Sequence, residues 1–325
     1  MRSFNDSAGW LERQPSVAVC DGGSHSVGSA REKGTVAKTV DEGFRTLLRR
    51  LTPTTGDTAR AKKHRQSIET CLKNEFSITR FFRIGSFGNG TSIHGYSDVD
   101  YLAEFPKRHV PRDSDDLLSK VCRALDARFP RTGVEVDAPA VVVPFGDDKS
   151  EWTEVVPADR AGNTKLGYPL YRIPDGGGGW RKSSPESHNA YVAGVDSKKS
   201  GKVKPLIRFI KAWSFFHGVG LSSFYLELFT AKYAAEESTI LYSMDVLGVF
   251  EKLYECGLAS IPDPRGISGE VEACGLLRKF FGATDAVEQA VEWARKARKA
   301  EREERFADAF KWWDKVYAGK FPSRY

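Results

Sequence analysis

Residues 83–105 read RIGSFGNGTSIHGYSDVDYLAEF, and this stretch decides the fold that the sequence predicts. The short apolar runs at Phe81–Ile84 and Val99–Phe105 are typical of strands. Between them, Gly85 and Ser86 follow the first strand directly, and glycine recurs at positions 88 and 90. The stretch therefore predicts two strands joined by a glycine-rich turn.

Two aspartates lie at the start of the second strand. Because side chains alternate between the faces of a strand, Asp98 and Asp100 leave the same face. A divalent cation relieves their repulsion, and Mg²⁺ typically binds one or two carboxylates together with substrate phosphates. The turn at Gly85 and Ser86 offers N–H groups and a hydroxyl to a phosphate. The complete string indicates a site for a metal–nucleoside triphosphate, whereas Asp-x-Asp alone would favour solvated aspartates on a glycine-rich hairpin.

Composition bounds the class of protein. The 325 residues include 49 Lys+Arg and 43 Asp+Glu, a net charge of +6, and 40% are hydrophobic. This length predicts two closely packed domains, and the composition excludes global disorder and collagen. No window approaches the roughly 18 uncharged apolar residues that span a bilayer. The five scattered cysteines favour reduced thiols over a zinc site or a disulfide framework. We therefore expect a soluble, cytoplasmic protein.

The chain divides into three parts. Residues 1–33 are rich in glycine and small polar residues without periodicity, and they are interpreted as a disordered extension. Residues 34–185 begin with two helices and hold the predicted strands, and residues 186–325 are mainly helical. The segment Asn163–Ser184, with four consecutive glycines, is interpreted as a long loop. The order predicts an α+β fold, a mixed sheet with helices joined to a C-terminal α-helical domain.

Two helical segments in the second half carry polar patterns. Lys204, Arg208 and Lys211 are spaced i, i+4 and i+7, so they form one basic stripe along a helix. A solvated cationic face is the ordinary meaning of such a run. Ser222 and Ser223 open the next helix, where a serine pair either caps free N–H groups or forms an anion site with them. The residues by themselves leave both alternatives open.

The strand, Gly-Ser turn, spacer and Asp-Val-Asp string resembles the signature of the polymerase-β-like nucleotidyltransferases. Within that superfamily the chain resembles the bacterial CD-NTases, relatives of animal cyclic GMP-AMP synthase, from about Val36 to about Tyr233. Matching strings follow in order: EVVPADR at 154–160, YRIPD at 171–175, KPLIRFIKAW at 204–213 and LSSFYLELF at 221–229. The resemblance implies a polymerase-β-like nucleotidyltransferase core fused to a helical domain.

The resemblance also implies a third acidic metal ligand. An acidic residue, usually Asp, precedes the V-V-P-A string of the family, which points to Glu154, although its longer side chain departs from the pattern. Glu135 and Asp137, acidic positions in an otherwise apolar strand, are the alternatives, and Asp137 is the leading one. The implied cofactor is a pair of Mg²⁺ ions, with Mn²⁺ as a substitute, held by Asp98, Asp100 and the third carboxylate.

Roles in nucleotide binding follow from the same resemblance. Gly85 and Ser86 would contact phosphate, and Lys211 and Ser223 would hold the donor triphosphate. Phe224 would stack on the base in the place of a family Tyr, with core packing as the competing role.

The resemblance places the segment 171–188, YRIPDGGGGWRKSSPESH, near the acceptor nucleotide, closing over the cleft. Its candidate residues are Asp175, Trp180 and His188. A turn-capping Asp and a buried Trp are the alternatives for the first two.

The expected function is Mg²⁺-dependent nucleotidyl transfer that joins NTPs, ATP and/or GTP, into a cyclic di- or trinucleotide and releases pyrophosphate. The implied context is bacterial anti-phage signalling, with a separate effector that senses the product and with regulatory operon partners. The alternatives are a nucleotidyltransferase acting on RNA ends and a catalytically idle, antitoxin-type binding protein on the same fold. The closely placed Asp98 and Asp100 argue against an idle site.

Overall fold

The computed structural model describes residues 37–96, 98–146, 151–274 and 277–324, so the predicted extension at 1–33 lies outside the described residues. The helices are α1 Val40–Leu51, α2 Thr55–Phe76, α3 Gly85–Asn89, α4 Ser114–Arg128, α5 Pro185–Lys198, α6 Val203–Phe216, α7 Ser223–Glu236, α8 Tyr242–Glu255, α9 Leu277–Arg302 and α10 Phe306–Val316. The strands are β1 Arg80–Arg83, β2 Val99–Phe105, β3 Glu135–Asp137, β4 Ala140–Phe145, β5 Glu151–Asn163, β6 Pro169–Pro174, β7 Trp180–Ser183, β8 Ile261–Pro262 and β9 Glu270–Val271.

Local signals in the sequence explain where several helices begin. The Thr39 side chain accepts the Glu42 N–H, and the Glu42 carboxylate accepts the Thr39 N–H, which is a complete capping box for α1. Asp113 caps α4 and Ser222 caps α7, each through a side-chain oxygen that accepts one backbone N–H group. These caps satisfy N–H groups that a helix start leaves without partners.

The core is a mixed, seven-stranded sheet in the order β1-β2-β5-β4-β3, with β6 and β7 added beside β5. The strands β2 and β5 run parallel, and the other neighbours run antiparallel. Tyr101, Ala103 and Phe105 of β2 face an apolar cluster formed with α2 and α4. Because side chains alternate along a strand, Asp100 and Leu102 lie on the opposite face. The mixed sheet and its helices confirm the predicted α+β class. The alternation along β2 separates the acidic face from the helix-covered face.

A second apolar cluster holds the helical part together, with α6 running through it. Phe44 of α1 belongs to this cluster, with ring centroids 5.1 Å from Phe209 and 5.0 Å from Trp313. The predicted division at residue 185 assigns α1 to the sheet unit, but in the structure α1 packs with the helical unit. The reason is that α2 and α4 already cover the sheet, so the apolar face of α1 finds its partner among α6, α8 and α10.

The segment Asn163–Ser184 is not a long loop, and this prediction was wrong. Its residues form β6 and β7, an antiparallel hairpin whose turn carries the four glycines. A second difference is that the predicted strand Val134–Phe145 is two strands, β3 and β4, which reverse direction at Ala138–Pro139. Short strands that end in proline and glycine have too few residues to show a clear alternation, which explains both errors.

None of the helices in the described ranges is both long and apolar enough to cross a membrane.

Candidate active site

Strand pairing brings the predicted carboxylates together. Asp100 of β2 is the register partner of Glu154 of β5. Neighbouring strands lie about 4.8 Å apart, so side chains on the same face of such partners meet. The two carboxyl groups hydrogen-bond to each other. Asp98, which directly precedes β2, is repelled by the charge of Asp100 and itself repels Glu154. The fold therefore assembles these three acids on one face of the sheet.

The three carboxyl groups resist ionising together. Desolvation raises the pKa of Asp100 to about 6, although its hydrogen bond with Glu154 and its attraction to Lys211 act in the opposite direction. Desolvation, with repulsion from Asp100 and Asp98, raises the pKa of Glu154 well above its usual value. Asp98 is exposed as a residue, but the protein around its carboxyl group partly excludes water. This desolvation, followed by repulsion from Asp100, raises the pKa of Asp98 to about 7. Like charges held this close favour a proton or a cation between them.

The donor set suits a hard divalent cation, since Mg²⁺ binds carboxylate oxygens, phosphate oxygens and water. Among the described residues, no group of three or more His, Cys, Asp or Glu side chains is placed so that it could hold a metal ion. Asp98, Asp100 and Glu154 by themselves therefore do not complete a metal site in this structure, and an ion bound here would need further ligands from substrate phosphates and water. Their roles as metal ligands stay predictions.

The alternatives for the third carboxylate lie farther away. Glu135 and Asp137 are on β3, which is separated from β5 by β4. Two strand spacings place β3 about 10 Å from β5, whereas β5 is the direct neighbour of β2. Asp137 is also the weakest of the named influences that raise the pKa of Glu154. The register therefore favours Glu154 over Asp137 for a site shared with Asp100.

Gly85 fits the site through its missing side chain. Its φ is +56°, and a Cβ built at this position would lie 2.0 Å from Oδ2 of Asp100. The Ile84 N–H donates to the Asp100 carbonyl at 2.9 Å, which holds the turn against β2. Any larger residue at position 85 would push the Asp100 carboxylate aside. The Gly-Ser turn itself begins the short helix α3, and Ser86 is half-buried there.

The basic stripe on α6 packs against the segment that follows α3 and is not a solvated face. Arg208 donates from Nε to the Ser92 carbonyl at 3.1 Å and from Nη2 to the Gly90 carbonyl at 2.8 Å. Lys211 is buried, with Nζ 3.4 Å from the Thr91 carbonyl oxygen. Arg208 therefore holds the backbone of this segment, and the structure places Lys211 beneath it.

Lys211 lies in the field of two carboxylates. Burial lowers the pKa of its ammonium group, while Glu227 and Asp100 raise it. Glu227 of α7 is buried and accepts hydrogen bonds from Asn89 Nδ2 at 2.5 Å and from the Thr91 hydroxyl. Glu227 was not among the residues predicted from the sequence, because the partners that it binds, Asn89 and Thr91, lie 138 and 136 residues away along the chain. Lys211 and Glu227 join the helical unit to the end of α3.

The two serines at the start of α7 have different environments. The Ser222 hydroxyl accepts the Tyr225 N–H at 3.3 Å and serves as the N-cap. Ser223 is half-buried, and its hydroxyl forms no hydrogen bond with the residues that the structure describes. Phe224 is 37% exposed, which disfavours core packing as its role. The structure thus leaves Ser223 and Phe224 accessible, as a binding role requires.

The glycine turn between β6 and β7 is anchored at the start of α4, where the Ser114 N–H donates to the Gly178 carbonyl at 2.9 Å. Asp175 Oδ1 accepts the N–H groups of Gly177 and Gly179, and Trp180 Nε1 donates to the Arg112 carbonyl at 3.1 Å. Asp175 is therefore a turn-capping residue, which was the alternative interpretation. His188, the third candidate of that segment, lies buried on α5.

Comparison with known proteins agrees with this arrangement. The family described as the Second Messenger Oligonucleotide or Dinucleotide Synthetase domain, SMODS, matches residues 38–195. A probable cyclic nucleotide synthase of Bacillus cereus strain VD146 is 28% identical over 278 residues, which cover 74% of this chain and 81% of that protein.

Solved structures share the fold. CdnC of Escherichia coli MS115-1, determined with ATP, has a TM-score of 0.67 at 17% identity and covers 86% of this chain and 98% of its own. DncV of Vibrio cholerae has a TM-score of 0.68 at 12% identity and covers 87% of this chain and 96% of its own.

The sheet, its paired carboxylates and the domain match define a nucleotidyltransferase. Within that class, residues 38–195 match the SMODS family, and the fold is that of the solved CD-NTases.

Proposed function

We propose that this nucleotidyltransferase is a CD-NTase that joins nucleoside triphosphates into a cyclic di- or trinucleotide in a Mg²⁺-dependent reaction that releases pyrophosphate. The observation that carries the proposal is the pairing of Asp100 with Glu154 beside Asp98, against which the Gly85 turn is closely packed. The description of the Bacillus cereus relative as a probable cyclic nucleotide synthase supports the choice of product class.

Each group of residues has a distinct part in this proposal. Asp98, Asp100 and Glu154 would hold the metal ions, which would polarise the α-phosphate and lower the pKa of the attacking ribose hydroxyl. Ser86 and Ser223 would hold phosphate oxygens from the two sides of the site. The acceptor hydroxyl gives up its proton to water, and its oxygen bonds to the α-phosphorus. The bond between the α-phosphorus and the oxygen that bridges to the β-phosphate breaks, and pyrophosphate leaves with that oxygen. A second transfer closes a cyclic dinucleotide, and a cyclic trinucleotide needs a third.

The proposed setting is the bacterial cytoplasm, in anti-phage signalling. NTP substrates are available there, and Cys71, Cys122 and Cys256 form no disulfide. The chain would act with a separate effector that senses the cyclic product. A regulatory partner is a further proposal, since E. coli CdnC was solved in a complex with HORMA-deltaN.

The test is mass spectrometry of products made from all four NTPs with Mg²⁺ or Mn²⁺, after phosphatase treatment. Phosphatase-resistant cyclic products and stoichiometric pyrophosphate are expected, with none from the Asp98→Asn/Asp100→Asn double variant. A chain that extends added RNA ends but makes no small cyclic product would instead be an RNA-end nucleotidyltransferase. Reaction without added divalent cation, in the presence of EDTA, would contradict the metal requirement.

A further inference from the structure

Phe224 rests on a buried histidine. Its ring meets the ring of His188 on α5 edge to face, with centroids 5.1 Å apart and planes inclined at 77°. His188 is buried, whereas Phe224 keeps 37% of its surface exposed. One side of the aromatic ring is therefore supported by protein, and another remains accessible to a ligand.

His188 is itself held by a residue outside both helices. Its Nε2 lies 2.9 Å from Oδ2 of Asp263, in the turn between β8 and β9. Asp263 is buried and also accepts the backbone N–H groups of Arg265, Ile267 and Ser268 at 2.8, 3.0 and 2.8 Å. Burial by itself would raise the pKa of Asp263, but the hydrogen bonds with His188 and these N–H groups hold that pKa well below its usual range. Because an ionised carboxylate only accepts, Nε2 of His188 carries the proton and donates.

The hairpin that contains Asp263 also holds the start of α7. The Ser222 N–H donates to the Ala273 carbonyl at 2.8 Å, and the Tyr225 hydroxyl donates to the Ala259 carbonyl at 2.9 Å. These bonds flank Phe224 on both sides along the chain. The segment 259–273 thus fixes both the helix that carries Phe224 and the histidine against which its ring packs.

We infer that His188 is a positioning residue for the base of the donor nucleotide: Asp263 fixes the imidazole, and the imidazole fixes the Phe224 ring on which the base stacks. This inference rests on the proposed function, since it needs a nucleotide donor. A side chain already held in one orientation loses less freedom when a ligand stacks on it, so the benefit appears in binding. The affinity for the phosphate groups should not depend on this orientation, because Phe224 would contact the base and not the phosphates.

The experiment compares a ligand that has a base with one that has none. KM and kcat are measured for the NTP that the unaltered enzyme uses best, together with the inhibition constant of inorganic tripolyphosphate. His188→Gln keeps a donor for Asp263 but removes the ring. We expect KM to rise about three- to tenfold, kcat to change less than twofold, and the tripolyphosphate constant to stay the same. Asp263→Asn, which keeps the shape of the side chain, should shift KM in the same direction by less.

His217→Gln is the matched control. Like His188, His217 contacts an oxygen through Nε2, here the Val316 carbonyl, and its ring packs near Trp293, but it lies in another part of the helical unit. The His217→Gln substitution should leave KM unchanged. Phe224→Ala should reproduce the base-dependent loss, and adding His188→Gln to it should cause no further rise in KM, because both changes remove the same contact.

Three results would overturn the inference: a normal KM in folded His188→Gln and Asp263→Asn, equal losses for the NTP and tripolyphosphate, or additive losses in the double variant. If His188→Gln does not fold, as judged by circular dichroism, Asp263→Asn and the double-variant comparison built on it decide the question. An unaltered chain that binds no NTP would contradict the proposed function, which is a different outcome.

Discussion

The carboxylate cluster and the helical side of the site hold their charges in opposite ways. Asp98, Asp100 and Glu154 are like charges that the backbone pairing of β2 and β5 forces together. On the helical side, buried Lys211 lies between the carboxylates of Glu227 and Asp100, which offset its charge. Like charges repel each other in the first region, and opposite charges attract each other in the second. The loss of a charge should therefore reduce activity in the first region and stability in the second.

The largest effect is expected in the carboxylate cluster. Asp98→Asn or Asp100→Asn removes one charge that the transition state needs, so product formation should fall at least about a hundredfold. The thermal midpoint of Asp98→Asn should stay the same or rise, because that substitution relieves repulsion among the acids; Asp100→Asn also removes an attraction to buried Lys211 and is compared by activity alone. Activity and midpoint are measured together, with the exposed Glu75→Gln as the control. Near-normal turnover in the double variant would end the metal assignment.

Glu154→Gln tests whether strand register selects the third ligand. We expect a loss similar to that of Asp100→Asn, because the two residues are direct partners across β2 and β5. Asp137→Asn, on β3, is the matched control and should reduce activity only a few-fold. The reverse ranking in parallel assays would transfer the role to Asp137.

The buried lysine should respond through stability. Lys211→Met removes a buried positive charge that attracts Glu227, and Glu227→Gln removes that carboxylate charge, so each should lower the free energy of unfolding by roughly 1–3 kcal/mol. Urea denaturation measures this, and the double variant should recover much of the loss.

The double variant also tests the predicted grip on the triphosphate. If Lys211 contacts the donor, the KM of the stable Lys211→Met/Glu227→Gln protein should rise about ten- to a hundredfold. A stable double variant with an unchanged KM would leave Lys211 a structural role.

The two regions also differ in how far the sequence predicts them. The placement of Asp98 and Asp100 on one face follows from the alternation of side chains within one strand. The sequence left Glu154 and Asp137 as alternatives for the third ligand, because the order of strands in a sheet is set by the tertiary structure. The burial of Lys211 depends on Thr91, 120 residues away, and the role of Glu227 depends on Asn89, 138 residues away. No local pattern encodes contacts of that separation.

The α+β class was predicted because it needs only the order and type of the elements. The hairpin β6–β7 was missed because its strands of six and four residues lie between prolines and glycines. The packing of α1 with the helical unit was missed because an amphipathic pattern states that a face is buried, not which unit buries it. What the sequence leaves open is the choice of partner.

The smallest effect, and the finest test of the comparison, concerns the neighbouring serines of α7. Ser223→Ala removes a neutral hydroxyl from the predicted triphosphate site, a loss of roughly 0.5–1.5 kcal/mol, so KM for NTP should rise about two- to tenfold at an unchanged thermal midpoint. Ser222→Ala removes the helix cap, which costs about 1 kcal/mol of stability, and it should lower the midpoint with little change in KM. Steady-state kinetics and thermal melts on both variants separate the two roles, because each serine should move one quantity and spare the other. If Ser222→Ala raised KM as much as Ser223→Ala, the ordering of the helix start and not the Ser223 hydroxyl would set phosphate affinity, and the helical side would act on the substrate through stability alone.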